Sequence, residues 1–262
     1  MAKISIIILH HSPVITPYLD LYLKSIAAQE TKHEIEVVVM DSRKEHRPLP
    51  DYKLNLKHVC ISNDVIAPVA CNLAVKEHAS KDSKYILICN DDLCLSRYAI
   101  EEMINFAEAH GRAVIQNAFS NCDFNIYYSA PDFCLEKENG SQLYMRSQMN
   151  IKNIDNWHDE LINYPLQRRI ILPFQYVCFY ATVMPKALFE TLGGLHEEYI
   201  SGPDDRDFCL QAAKIGVPSV VNLAATIWHF SGRTMATKDP ETVKKNRERN
   251  NEIFKSRHGY YP

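Results

Sequence analysis

Glycine is absent from the first 110 residues of this 262-residue chain, whose eight glycines begin at Gly111. The turn after the first apolar run, Ile4 to Leu9, therefore reads His10, His11, Ser12, Pro13. It holds neither G-x-G-x-x-G nor a Walker loop, which excludes a close cradle of backbone amides around a phosphate at that point. An excess of positive charge is also missing: 29 Lys and Arg face 32 Asp and Glu, for a net charge of −3. That balance argues against a broad nucleic-acid surface, and no nucleic-acid partner is expected. No apolar run approaches the ~20 residues that span a bilayer, so no transmembrane segment is expected. The opening MAKISIIILHHSP is too short for a signal h-region plus cleavage site. The eight cysteines contain no C-x-x-C pair and sit mostly inside apolar segments, where thiols act as small hydrophobes; a reduced, cytoplasmic protein is expected.

What is present is a series of short apolar runs rich in β-branched residues: 4–9, 34–40, 57–61, 85–89 and 113–117. Nearly continuous apolarity marks strands buried on both faces, as in a parallel sheet. Between the first two, Thr16 and Pro17 read as cap and first helical residue, followed by Tyr18, Tyr22 and Ile26 on one face. A second helix is expected from Pro68, carrying Val69 and Leu73, and a third carries Ile100, Met103, Ile104 and Ala107. Alternating β and α predicts one α/β domain. Residues 118 to about 172 lose this regularity and read as a long excursion, a feature often functional in compact domains. Regularity returns with FQYVCFYATVM, a short helix from Pro185 to Gly193 and Gly194, and a helix in DDRDFCLQAAKIG with Cys209, Ala212 and Ala213 on one face and a stop at Gly216. Asp239 and Pro240 open a charged final helix that ends near Gly259.

Three acidic clusters stand at element ends: Asp41 after EVVVM, Asn90, Asp91 and Asp92 after YILIC, and Asp204, Asp205 and Asp207 at the start of a helix. Each has an ordinary explanation, since Asn and Asp dominate turns and a negative charge is favoured at a helix N-terminus. Each also has a chemical one. An α/β sheet binds ligands at the carboxyl ends of its strands, and a diphosphate with no glycine loop to hold it needs another neutraliser, such as a divalent cation held by carboxylates.

Taken in order, these segments resemble the family 2 glycosyltransferases, of GT-A fold. ISIIILHHSPVITPYLDLYLKSI resembles the family's first strand and helix, EIEVVVMDSRK its second strand, and NDVIAPVACNLAVKEHASKDSKYILICNDDL the next helix and the DxD strand. YATVMPKALFETLGGLHEEYISGPDDRDFCLQAAKIGV resembles the stretch ending in ED-x-D, and IWHFSG the His-containing segment that closes the site. Asn90 stands in place of the first Asp of DxD, and Asp204 in place of the Glu of the ED pair.

The resemblance implies a Rossmann-like, mostly parallel sheet flanked by helices in one domain, with 1–117 as the nucleotide-binding half, 118–235 as the acceptor-binding half and 236–262 as a helical tail. It implies an inverting enzyme that moves a sugar from a nucleotide-diphosphate sugar, UDP or dTDP favoured, to a hydroxyl of a glycan or glycolipid, assisted by Mn²⁺ or Mg²⁺. Asp205 would be the general base and Asp92 the direct metal ligand, with Asn90 or Asp91 at the ribose or acting through water. Asp41 would meet the base or a ribose hydroxyl, and Asn72 lies at a position near the donor. His229 is either a further metal ligand or structural. Asp204 and Asp207 either hold acceptor hydroxyls or cap their helix. Trp157, Tyr164 and Tyr176 are sugar-stacking candidates or core aromatics. No amphipathic membrane helix stands out, although peripheral membrane contact fits a lipid-linked acceptor.

Three other readings share parts of this pattern. A sugar-nucleotide nucleotidyltransferase needs a glycine-rich N-terminal loop, which is missing. A phosphatase with a strand-end Asp nucleophile meets Asn90 instead. A non-catalytic nucleotide-sugar or glycan-binding relic is favoured only by Asn90 and opposed by Asp92, Asp205 and His229.

Overall fold

The computed structural model describes residues 1–11, 16–111, 113–120, 135–136, 142–143, 171–230 and 239–262. In chain order the strands are β1 (Lys3–His10), β2 (Glu34–Asp41), β3 (Leu56–Cys60), β4 (Tyr85–Cys89), β5 (Leu93–Leu95), β6 (Ile115–Ser120), β7 (Leu135–Glu136), β8 (Gln142–Leu143), β9 (Ile171–Phe174), β10 (Ala181–Pro185) and β11 (Ser219–His229). The helices are α1 (Thr16–Ala27), α2 (Ala67–Leu73), α3 (Ala99–His110), α4 (Lys186–Thr191), α5 (Asp204–Lys214) and α6 (Pro240–His258). α2 continues through Ala74–His78 as a wider turn.

The main sheet runs β3-β2-β1-β4-β10-β6-β11-β5, with β9 also paired to β11; β7 and β8 form a separate ladder. β3, β2, β1 and β4 are mutually parallel, as are β6 and β11, while β10, β5 and β9 run antiparallel to their neighbours. Side chains alternate between the two faces of a strand. Ile4, Ile6 and Ile8 accordingly pack with Tyr22, Leu23 and Ile26 of α1 and Met103 and Ile104 of α3. Ile7, Val38 and Met40 pack on the opposite face against Cys71, Val75, Phe189 and Phe208. Helices on both faces are why the strand sequences read as unbroken apolar runs rather than alternating ones.

Several local expectations shift. Tyr18 is only half-buried and meets the ring of Phe230 at 5.0 Å, leaving Leu19, Tyr22, Leu23 and Ile26 as the core stripe of α1. α2 buries Ala70, Cys71, Ala74 and Val75 rather than Val69 and Leu73, because small residues allow its closer approach to the sheet. In α5 the inward face is Phe208, Cys209 and Ala212, and Ala213 is exposed. FQYVCFYATVM is broken into the end of β9 and all but the last residue of β10, with 175–180 irregular between them and the Thr182 hydroxyl donating to the Cys178 carbonyl at 3.0 Å.

The helix ends match their sequence signals: Asp239 accepts from the Thr242 amide, and Gly216 and Gly259 take positive φ. None of the six described cysteines forms a disulfide. Among the described residues no helix is long and apolar enough to cross a membrane. Trp157, Tyr164 and most of the 118–172 excursion lie outside the described residues.

Candidate functional site

Parallel pairing sets the carboxyl ends of β2, β1 and β4 side by side, with His10 in register with Asp41 and Ile8 with Cys89. β4 then continues into Asn90, Asp91 and Asp92 before β5. β5 lies antiparallel to the end of β11, pairing Leu93 with His229, and the Phe230 amide donates to the Asp92 carbonyl at 2.9 Å. Two segments more than 130 residues apart in sequence therefore meet here.

The contacts are direct. Asn90 Nδ2 lies 3.0 Å from His229 Nε2, and Asp92 Oδ1 lies 3.2 Å from the same nitrogen. The His229 ring stacks on Tyr180 with centroids 5.1 Å apart, and the Tyr180 carbonyl accepts from the Asn90 amide at 3.0 Å. Asp92 is 6% exposed, yet its Oδ1 has no hydrogen-bond partner. An orphaned buried carboxylate oxygen beside an imidazole and an amide is a set of donors that fits a divalent cation. Among the described residues no three His, Cys, Asp or Glu side chains form a group that could hold a metal ion by themselves; Asp92 and His229, with the Asn90 amide beside them, are the residues that could contribute to one. A divalent cation held there would supply positive charge to neutralise a diphosphate.

Asp91, between them in sequence, turns to a residue the sequence reading passed over. Its Oδ2 lies 2.6 Å from His10 Nδ1, both residues are buried, and His10 Nε2 has no hydrogen-bond partner. Burial raises the Asp91 carboxyl above its ordinary range, against the opposing pull of His10. The signal for His10 was its position as the last residue of the first strand.

Asp41 is fully buried and fully engaged. Oδ1 accepts from the Arg43 amide at 3.1 Å and from Nε at 2.9 Å; Oδ2 accepts from the second guanidinium nitrogen at 2.6 Å and meets His58 Nε2 at 2.9 Å. Burial alone would raise this carboxyl, but Arg43 and His58 more than reverse it and hold Asp41 well below the usual carboxylate range. A carboxylate offers about four acceptor positions, and these contacts occupy all of them.

Asn72 is likewise committed. Its Oδ1 accepts from the Leu195 amide at 2.8 Å, and its Nδ2 donates to the Leu195 carbonyl at 2.8 Å and to Glu197 at 3.0 Å. The close approach needs Gly194, at φ +79°, where a Cβ would fall 2.4 Å from Asn72 Oδ1. The structure thus gives Asn72 the part of a clamp on the turn after α4.

The acidic start of α5 divides by direction. Pro203 precedes the helix and no side chain caps it, so Asp204, Asp205 and Asp207 supply the negative charge its first turn favours. Asp204 is half-buried, and burial pushes its carboxyl up. Burial pushes the neighbouring Cys71 thiol up, and the Asp204 carboxyl adds to that shift. Asp205 Oδ1 accepts from the Arg206 amide at 2.6 Å. Asp207 points elsewhere: it is 2% exposed and receives Arg257 Nε at 2.7 Å, the second Arg257 nitrogen at 3.0 Å and His258 Nε2 at 2.6 Å. Its carboxylate anchors α6, so acceptor binding by Asp207 is not what the contacts display. Tyr176 lies under the Arg206 guanidinium, 4.7 Å from the ring centroid, with Phe254 at 5.4 Å on the same cation.

A family model for glycosyl transferase family 2 matches residues 5–172. Comparison with curated protein sequences finds no match. Solved structures of similar fold include S. aureus TarS 1–349 in complex with UDP-GlcNAc, at TM-score 0.60 and 16% identity over 91% of this chain and 62% of that one. GalNAc-T7 with UDP, GalNAc and Mn²⁺ gives TM-score 0.62 at 10% identity, over 87% of this chain and 44% of that one. The mannosyltransferase PcManGT from Pyrobaculum calidifontis, in complex with GDP-Man and Mn²⁺, gives 0.55 at 16% identity, over 88% and 57%. This chain spans less than two thirds of the length of each.

Proposed function

Because the chain belongs to glycosyl transferase family 2, we propose that it is an inverting glycosyltransferase acting on a nucleotide-diphosphate sugar and a hydroxyl of a glycan or glycolipid. The observation that carries this reading is the meeting of Asn90, Asp92 and His229 at the strand ends, with a buried carboxylate oxygen left without a hydrogen bond. A divalent cation, Mn²⁺ or Mg²⁺, held by Asp92 and His229 would supply charge neutralisation for the diphosphate. Imidazole in the set favours Mn²⁺.

The chain's own residues divide the remaining tasks. Asp205 takes the proton of the acceptor hydroxyl as its oxygen bonds the anomeric carbon. The bond to the diphosphate breaks in the same displacement, its electron pair leaving with the nucleoside diphosphate, which inverts the anomeric centre. Asp204, whose carboxyl burial pushes up, would donate to an acceptor hydroxyl. His10 holds Asp91, which orients the strand end on which Asn90 and Asp92 stand. Asp41 would accept the imino N–H of a pyrimidine base once the His58 or Arg43 contact yields. Asn72 acts at a distance, through the turn that leads towards Asp204.

A thermal-shift panel of UDP, dTDP, GDP and CMP, each with and without Mn²⁺, tests the reading on wild type and Asp92→Ala. A nucleotide at about 100 times its Kd stabilises by about 2.7 kcal/mol, or roughly 5–10 °C for a protein of this size. The expected result is a metal-dependent shift with UDP or dTDP that Asp92→Ala loses. No shift with any nucleotide would overturn the donor site and leave a glycan-binding relic as the reading. In turnover, Asp205→Asn should lower transfer by at least about a hundredfold while the nucleotide shift stays; transfer at the wild-type rate would remove Asp205 as the base.

A further inference from the structure

α6 is pinned to the loop that leads into Asp204 and Asp205, and the pinning leaves a cavity of about 220 Å³ between them. Asn250 fixes one side: 3% exposed, it accepts from the Ile200 amide at 3.1 Å and donates to the Ile200 carbonyl at 2.8 Å and to the Gly202 carbonyl. Arg257 and His258 fix the other through Asp207. The chain from Ile200 to Pro203 forms one wall, and Asn246, Arg247, Asn250 and Asn251 of α6 form the other. The side chains of Asn246, Arg247 and Asn251 make no hydrogen bond or ion pair among the described residues.

The chemistry of that wall selects a class of ligand. Two amides offer donors and acceptors together, which suits sugar hydroxyls, and a guanidinium offers a fork of donors that suits a carboxylate or phosphate. α6 carries six Lys and Arg against three Glu, on a chain whose net charge is −3. The volume is below the ~300–1,000 Å³ of sites for drug-sized ligands, which fits one sugar ring and is too small for a nucleotide-diphosphate sugar. None of the lining residues belongs to the donor side, Asp41, Asn90 to Asp92 and His229. The wall Ile200 to Pro203 runs straight into Asp204 and Asp205.

We propose that this cavity is an acceptor subsite that takes a monosaccharide unit bearing a carboxylate or phosphate. The proposal rests on the glycosyltransferase reading above and deepens it by naming the acceptor's chemistry. Two walls anchored by separate contacts explain why α6 is packed against this loop and why its outward amides are left for a ligand.

Saturation-transfer NMR with the full chain and millimolar probes tests it, using glucose 6-phosphate, glucuronate, glucose and inorganic phosphate. Arg247→Ala and the double variant Asn246→Ala, Asn251→Ala are compared with wild type. Arg247 is exposed, so its removal should leave the melting temperature unchanged. The expected result is binding of glucose 6-phosphate or glucuronate in preference to glucose, weakened about tenfold in Arg247→Ala and reduced in the double variant. Equal binding in wild type and both variants would overturn the subsite, as would inorganic phosphate competing as well as the sugar acids. Loss of binding to phosphatidylglycerol vesicles in Arg247→Ala, with no sugar acid bound by wild type, would also overturn it and make α6 a membrane strip. The UDP and Mn²⁺ thermal shift is read on the same samples. A nucleotide response without sugar-acid binding sinks the subsite alone, whereas sugar-acid binding without any nucleotide response sinks the acceptor assignment together with the glycosyltransferase reading.

Discussion

At the scale of single residues, the Asp41–Arg43 pair shows how a short local turn changes the chemistry of a strand end. Arg43 is only two residues away, yet it returns to grip both carboxylate oxygens, and the two side chains are 0% and 6% exposed. A buried pair that loses one partner leaves an uncompensated charge, which costs about 3–5 kcal/mol. Arg43→Ala should therefore lower the urea midpoint of unfolding by that equivalent while opening acceptor positions on Asp41 to a base. An unchanged midpoint would mean that His58 alone satisfies the carboxylate. The acidic strand end was visible in sequence; its occupation was not, because i to i+2 contacts depend on the backbone path of a turn rather than on spacing. His10 was hidden for a related reason: its partner Asp91 lies 81 residues away and becomes a neighbour only through parallel pairing of β1 and β4.

Among the elements, α6 is the one whose part changed most between sequence and structure. Its composition describes a solvated, charged helix, and most of its surface is that. Phe254, Asn250, Arg257 and His258 nevertheless attach it to α5 and the loop before it, with Phe254 fully buried and its ring 4.4 Å from that of His258. Removing the charge of Asp207 by Asp207→Asn should release the last turns of α6, read as faster amide exchange over 250–258 with strands β1 and β4 unaffected. Unchanged exchange there would assign the attachment to Phe254 and Asn250 instead. The cap residues of this helix were legible, since Asp239, Pro240 and Gly259 act locally. Its docking was not, since Asp207 and its partners are 50 and 51 residues apart.

For the molecule as a whole, stability should depend on acid pH through a few buried carboxylates. Glu36 joins Ser5 on β1, Lys57 on β3 and Ser80 in the loop before β4; burial would raise its carboxyl, and Lys57, Ser5 and Ser80 outweigh that and bring it to about 2. Asp41 and Asp207 are also lowered, against burial, by Arg43 and Arg257 respectively. A carboxyl lowered on folding adds stability that is complete above its unfolded value, near ~4, and is lost as pH falls through the folded value. Asp91 and Asp204, both raised by burial, act in the opposite sense and gain as they protonate. Three strongly held carboxylates should dominate, so the melting temperature is expected to fall steeply between about pH 4 and pH 2. A flat profile across that window would show that the raised pair cancels them.

Sequence by itself determined the β-α alternation, the burial of β1, β2 and β4, the helix caps and the order of the three acidic clusters, because each of these is written in neighbours a few residues apart; β3, read from its apolar run as buried, is instead the edge strand and has no buried residue. Ile100, Met103, Ile104 and Ala107 of the α3 core were readable for the same reason, whereas Ala99 and Glu102, also buried there, were not read. Only the tertiary structure decided which side chains share a site. It brought His229 to Asn90 and Asp92 through the β5–β11 pairing, turned Asp207 away to α6, spent Asn72 on a glycine turn and left a cavity between α6 and the Ile200–Pro203 loop that leads into Asp204. Those choices depend on strand register and helix docking, which bring together charges and hydrogen-bonding groups 50 to 139 residues apart in sequence.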